Sequence, residues 1–215
     1  MEIQIKKVMP LPLRDKLQRQ SSDIWNQEVV FKQKDCVKII APSGTGKTTL
    51  IHIMYKLRSD YTGDVLYDGK NINSNSAEHI AVIRQQKLSI IFQDLRLFSN
   101  LTARENIELK RVMQKPLYDS AIIDAMSERL GIAHILDQKA EICSYGEQQR
   151  IAIIRALMQP FELLLMDEPF SHLDQSNTRK AADLIAEECK KRNAGFVLTD
   201  LDEDNHFNYN VKMTL

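Results

Sequence analysis

An α/β chain built round a mainly parallel sheet is what this sequence predicts, and three observations carry that. Short apolar runs at residues 36–41 (CVKIIA), 88–92 (LSIIF), 163–166 and 196–199 are separated by segments with helical spacing. The first run ends in Pro42-Ser43-Gly44 and passes, after Lys47, into helical spacing through Leu50, Ile53, Met54 and Leu57. The third run ends in two acids, Asp167 and Glu168. Strands that alternate with helices pack most readily as parallel strand–helix–strand units.

The chain has 215 residues, which suits one domain spanning residues 1–215. Lysine plus arginine and aspartate plus glutamate each number 29, so there is no basic excess to hold a polyanion, and nucleic acid is not an expected partner. Hydrophobic residues make up 43%, enough to bury a core. No apolar stretch is long enough for a membrane span, and Lys6 and Lys7 near the N-terminus precede no apolar block, so the chain reads as neither secreted nor membrane-spanning. Cys36, Cys143 and Cys189 lack the paired spacing of a zinc site or disulfide framework, which fits a reducing cytoplasm. Cys143 is read as a small packed residue.

Taken in order, Met9-Pro10-Leu11-Pro12 marks an irregular, extended start. Residues 61–68 (YTGDVLYD), followed by Gly69, read as strand and turn. From about residue 94 to 159 the composition turns helical. Thr102 and Glu105 have the spacing of a capping box, opening a helix that Pro116 closes. A second helix runs from Asp119 to a left-handed cap at Gly131. Ser144 and Glu147 form a second capping box, whose helix stops at Pro160. A helix over residues 177–192 lies between the last two strands.

Residues 41–49 (Ala41, Pro42, Ser43, Gly44, Thr45, Gly46, Lys47, Thr48, Thr49) follow the phosphate-loop pattern GxxxxGK[ST], with alanine in the first glycine position. Gly44 and Gly46 let the backbone bend so that successive amides converge on phosphate oxygens, and the helix that follows adds its positive end. Lys47 supplies charge for the β and γ phosphates, and Thr48 a hydroxyl for Mg²⁺. Asp167, at the carboxyl end of an apolar strand, suits a hydrated Mg²⁺, and Glu168 the water that attacks the γ-phosphate.

Cys143-Ser144-Tyr145-Gly146-Glu147-Gln148-Gln149-Arg150 brings recognition: the chain resembles an ABC-transporter ATPase subunit. Ser144, Gly146, Gln148, Gln149 and Arg150 match that family's LSGGQ signature and the QQR after it. The resemblance covers residues 34–199. It implies a P-loop NTPase with a mainly parallel RecA-like sheet, a small N-terminal antiparallel β part and an inserted helical subdomain over 94–159. It further implies ATP and Mg²⁺ as cofactors, and a second copy of the chain whose Ser144 and Gly146 close over the first copy's ATP. Gln93 matches the glutamine that contacts Mg²⁺ and the attacking water, and Asp174 the aspartate of the loop after the acids. An integral membrane permease subunit is the second implied partner, placing the chain in the cytoplasm at the inner face of the cell membrane. Residues 92–98 and 101–106 resemble the group serving lipoprotein-release and cell-division-type membrane partners.

Besides Ala41, further positions depart from the pattern. Tyr145 replaces a signature glycine and Glu147 its glutamine. Asp200 stands where the family has a histidine touching the γ-phosphate; a carboxylate there is repelled, so either it points away or the loop is reshaped, His206 and His172 are read as ordinary surface histidines ahead of substitutes for it, and slow hydrolysis rests on Glu168. The aromatic that stacks adenine has no clear counterpart, and Trp25 is read either in that role or as core packing. Besides a transporter ATPase, two readings stay open: a barely hydrolysing ATP-dependent dimerisation switch, and a small P-loop kinase, against which the SYGEQQR helix speaks.

Overall fold

The computed structural model describes residues 1–17 and 21–215. Strand β1 (Glu2–Pro10) turns Ile3 and Ile5 inward and pairs antiparallel with β2 (Glu28–Lys32) and β4 (Tyr61–Tyr67), and β5 (Lys70–Asn71) completes the sheet in the order β2-β1-β4-β5. The antiparallel part implied by the resemblance is therefore present. The irregular, extended start expected from the two prolines is present in part: Met9 and Pro10 are extended, though as the end of β1, where Pro10 pairs with Tyr61. Only Leu11–Leu13, a 3₁₀ turn, and the single-turn helix α1 (Arg14–Leu17) break the pattern.

The second sheet holds β3 (Cys36–Ile40), β6 (Leu88–Ile91), β7 (Leu163–Asp167), β8 (Gly195–Asp200) and β9 (Val211–Thr214) in the order β6-β7-β8-β3-β9, every pair parallel. All five residues of β7 are buried, as in a parallel strand covered on both faces. One apolar core lies between the two sheets and takes in α2 (Lys47–Met54) and α3 (Ala77–Gln86). The other lies on the opposite face of the parallel sheet and joins α4 (Ala103–Val112), α5 (Ala121–Arg129), α6 (Tyr145–Leu157) and α7 (Gln175–Arg192).

Both capping boxes form with reciprocal bonds, Thr102 with Glu105 and Ser144 with Glu147. Gly131 adopts φ +67° after α5. Helix α4 stops at Val112, ahead of Pro116, and α7 starts with Asp174 as its cap. The chain therefore brings the ends of β3, β7 and β8 side by side at one edge, the place where open parallel sheets take their ligands.

Candidate active site

At that edge the loop after β3 turns on Gly44 (φ +78°) and Gly46 (φ +100°), conformations that favour glycine. Lys47 opens α2 with its side chain folded back, donating to the carbonyls of Ala41 (2.8 Å) and Pro42 (3.3 Å). Thr45 braces the same turn by donating its hydroxyl to Pro42 O (2.8 Å). Leu13, Ser43, Gly44, Gly46, Lys47, Thr48, Thr49, Gln93 and Glu168 line a cleft of about 290 Å³.

Within it four side chains form one connected set. Lys47 Nζ lies 3.3 Å from Glu168 Oε1; Gln93 donates from Nε2 to Glu168 Oε2 at 3.1 Å; Thr48 donates to Gln93 Oε1 at 3.2 Å. Glu168 is held in the left-handed region (φ 45°), and its amide donates to Thr199 O at 3.0 Å. A non-glycine residue in that region costs energy, and such strain is found where surroundings fix a functional side chain. Asp167 is buried; its Oδ1 accepts from Thr199 Oγ1 at 2.9 Å, while Oδ2 has no partner among the described residues. Gln93 leads into Leu95 and Arg96, both left-handed, and Arg155 holds this turn by donating to their two carbonyls. Burial pulls the Arg155 guanidinium down to about 10.

Ser144, Gly146 and Asp174 stand outside this cleft. Ser144 caps α6, and its hydroxyl donates to Glu147 Oε2 at 2.7 Å while its amide donates to the same oxygen at 2.8 Å. These bonds hold the Glu147 carboxyl below the usual range. A β-carbon on Gly146 would lie 3.0 Å from His172 O, so the segment before Asp174 packs directly on the signature turn. Asp174 accepts from Asn177 N at 2.8 Å and from its side-chain amide at 2.7 Å.

Asp200 is turned away from the cleft, as its charge suggested: Oδ2 lies 3.3 Å from the ammonium of Lys38, which is 0% exposed. Lys38 also pairs with Asp204, a residue not singled out from sequence. The signal was a lysine inside the otherwise apolar run Cys36–Ile40. His206 packs its ring edge-on to Phe170, and His172 packs against Tyr145 with centroids 4.1 Å apart. Trp25 resolves toward packing: it is 3% exposed, and its indole Nε1 donates to Thr45 O at 3.1 Å beneath the phosphate loop. Leu13 lines the cleft and was missed, since nothing local ties it to a loop so far along the chain.

Comparison with known proteins agrees with this geometry. The family model described as ABC transporter matches residues 25–171, more than half the chain. The lipoprotein-releasing system ATP-binding protein LolD 2 of Chlorobaculum tepidum is 34% identical, covering 79% of this chain and 72% of the relative. LolD of Shewanella frigidimarina is 37% identical over 76% of this chain and 70% of its own length. Among solved structures, the dimeric structure of MJ0796, a bacterial ABC transporter cassette, superposes with a TM-score of 0.77 at 27% identity over 93% of this chain and 88% of that one. A dimeric post-hydrolysis state of the same cassette, bound to ADP and phosphate, gives a TM-score of 0.76 at 26% identity over the same shares. With the phosphate loop, the paired acids and the capped signature helix in place, the chain belongs to the ABC transporter family, as one of its ATPase chains.

Proposed function

We propose that this chain is the ATP-hydrolysing subunit of a transporter whose membrane-spanning part is a separate polypeptide of the lipoprotein-release type. The observation that carries it is the connected set Thr48, Gln93, Glu168 and Lys47 beside the half-satisfied Asp167. The phosphate-loop amides, from Ser43 to Thr49, and Lys47 take the triphosphate, which displaces Lys47 from Glu168. Glu168, freed of that partner, orients a water and accepts its proton as the water oxygen bonds to the γ-phosphorus and the bond to ADP breaks. Gln93 keeps the Glu168 carboxylate aimed at the cleft. The residues fit Mg²⁺: Thr48 and Gln93 offer neutral oxygens and Asp167 a buried, unpartnered one, a hard-donor set suited to that ion. When bound, Mg²⁺ supplies charge neutralisation at the β and γ phosphates.

Ser144 and Gly146, at the N-terminus of a 13-residue helix and outside their own chain's cleft, suit a second copy's nucleotide, with Asp174 at the seam. The dimeric cassette among the solved relatives supports this. Near the turn after Gln93, Asp94, Leu95, Leu97, Tyr145 and Gln148 line a groove, and Phe98 (56% exposed), Ile142 (67%) and Tyr145 (49%) leave an apolar surface fit for the membrane partner. Among the described residues no helix is long and apolar enough to cross a membrane, so attachment to the inner face of the cell membrane would run through that partner. Residues 94–159 would then act as the subdomain joining the two surfaces.

A second reading, a barely hydrolysing dimerisation switch, draws support from the Glu147 carboxylate on Ser144 and from Asp200 facing Lys38. Steady-state phosphate release and ATP-induced dimerisation of Glu168→Gln against the parent separate the two. The motor reading expects turnover to fall at least about a hundredfold and the variant to stay dimeric in ATP. A parent as inactive as Glu168→Gln favours the switch.

A further inference from the structure

The one-turn helix α1 reaches over the phosphate loop from outside the motif. Lys16 Nζ donates to Gly44 O at 2.9 Å, and a β-carbon on Gly44 would lie 2.9 Å from that ammonium. Just before α1, Leu13 Cδ1 lies 3.2 Å from the position of a Gly46 β-carbon, and Trp25 Cζ2 lies 3.1 Å from it, so the turn that leads into α1 packs on the loop, while Leu17 at the other end of α1 is buried.

Charge supplies the second part of the argument. Glu168 lines the cleft with Asp167 buried next to it, and the one lysine of the motif, Lys47, is itself paired with Glu168. A nucleotide diphosphate or triphosphate adds several negative charges to a site already short of positive ones. Lys16 forms no ion pair among the described residues, and its ammonium carries three donors, of which one is used on Gly44. Among the described residues it is a cation without an acidic partner, held by one hydrogen bond at the rim of an anion-binding loop.

We infer that Lys16 is a further nucleotide-binding residue, whose ammonium grips the diphosphate portion of the nucleotide beside Lys47. This rests on the nucleotide-binding reading above. The phosphate lysine of the motif acts from within α2; Lys16 acts from α1, so the connection between β1 and β2 contributes charge as well as packing to the site.

The test is calorimetric titration of the full chain with MgADP, which avoids both hydrolysis and ATP-driven pairing, in parent, Lys16→Met and Lys16→Arg. Lys16→Met keeps the aliphatic stem and removes the charge; it is expected to raise Kd about five- to tenfold, the scale of one charged contact in a wet cleft. Lys16→Arg is expected to bind within about twofold of the parent. The parent's Kd should also weaken more steeply than that of Lys16→Met as salt rises from about 0.05 to 0.2 M. Parent-like binding by Lys16→Met, or Lys16→Arg as weak as Lys16→Met, overturns the inference alone. A parent that binds no MgADP removes the nucleotide reading along with it.

Discussion

Glu147 presents a carboxylate where the implied second copy's phosphates would arrive, and its hold on the Ser144 hydroxyl explains why the residue is tolerated at the cap: one oxygen takes both the amide and the hydroxyl of Ser144. Those bonds depress its pKa, so the cap it forms is intact above the ordinary glutamate range and is lost only as pH falls through the lowered value. At neutral pH the charge is therefore always present and opposes phosphate. Glu147→Gln keeps a residue able to complete the capping box and removes the charge. In the Glu168→Gln background it is expected to strengthen ATP-induced dimerisation about fivefold or more, read by sedimentation equilibrium. An unchanged dimer constant would mean that Glu147 leaves the seam when nucleotide binds. Around this residue the sequence was informative where chemistry is local: Gly44, Gly46, Lys47 and the capping serine announce themselves by spacing. Leu13, Lys16 and Asp204 did not, because each acquires its role from a contact made across the fold.

Among elements, α4 and α6 share the same N-terminal device, yet only the α6 cap coincides with the signature. Thr102 accepts from Glu105 N at 3.1 Å while Glu105 Oε2 accepts from Thr102 N at 2.8 Å. Thr102→Ala removes the capping oxygen from α4 with no change at the cleft. The expected loss is about 1 kcal/mol of stability, seen as a fall of about 2 to 4 °C in thermal midpoint, with ATPase turnover unchanged; a loss of turnover would show that α4 transmits strain to the turn after Gln93. Both caps were legible because a capping box is written in four residues. The first strand was not: Ile3 and Ile5 alternate, but Lys6 and Lys7 interrupt the pattern at a bulge where Lys7 takes φ 50°. The space opposite is left by Gly63, whose added β-carbon would sit 2.4 Å from the carbonyls of both lysines. Helix α3 hid behind the Asn/Ser-rich stretch before it, and β9 is a short edge strand with only alternate residues half-buried.

At the scale of the whole molecule, Lys38 ties β3 to the end of β8 and the segment after it, 162 and 166 residues further along the chain. Its ammonium, fully buried on strand β3 between β8 and β9, meets Asp200 at the end of β8 and Asp204 in the segment leading to β9. Asp204 is the better-held partner: it also accepts from Tyr209 Oη at 2.6 Å and from His206 N at 2.9 Å. Burial alone would raise its pKa, but Lys38, Tyr209 and the His206 amide outweigh burial and hold it low. The stability this brings is present above the ordinary aspartate range and is lost as pH falls through the depressed value. A buried ammonium stripped of its main partner is costly, whereas removing both charges together is much less so. Asp204→Asn is therefore expected to destabilise the fold by about 2 to 3 kcal/mol, somewhat below the full cost because Asp200 remains. The double variant Lys38→Met with Asp204→Asn should lose less than Asp204→Asn alone. Urea unfolding at pH 7 and pH 3 reads both effects, and the Asp204→Asn deficit should shrink at the lower pH, below the ordinary aspartate value. Additive losses in the double variant would mean that Lys38 and Asp204 contribute independently, and that the loop carrying Asp200 is held by something other than this buried cation.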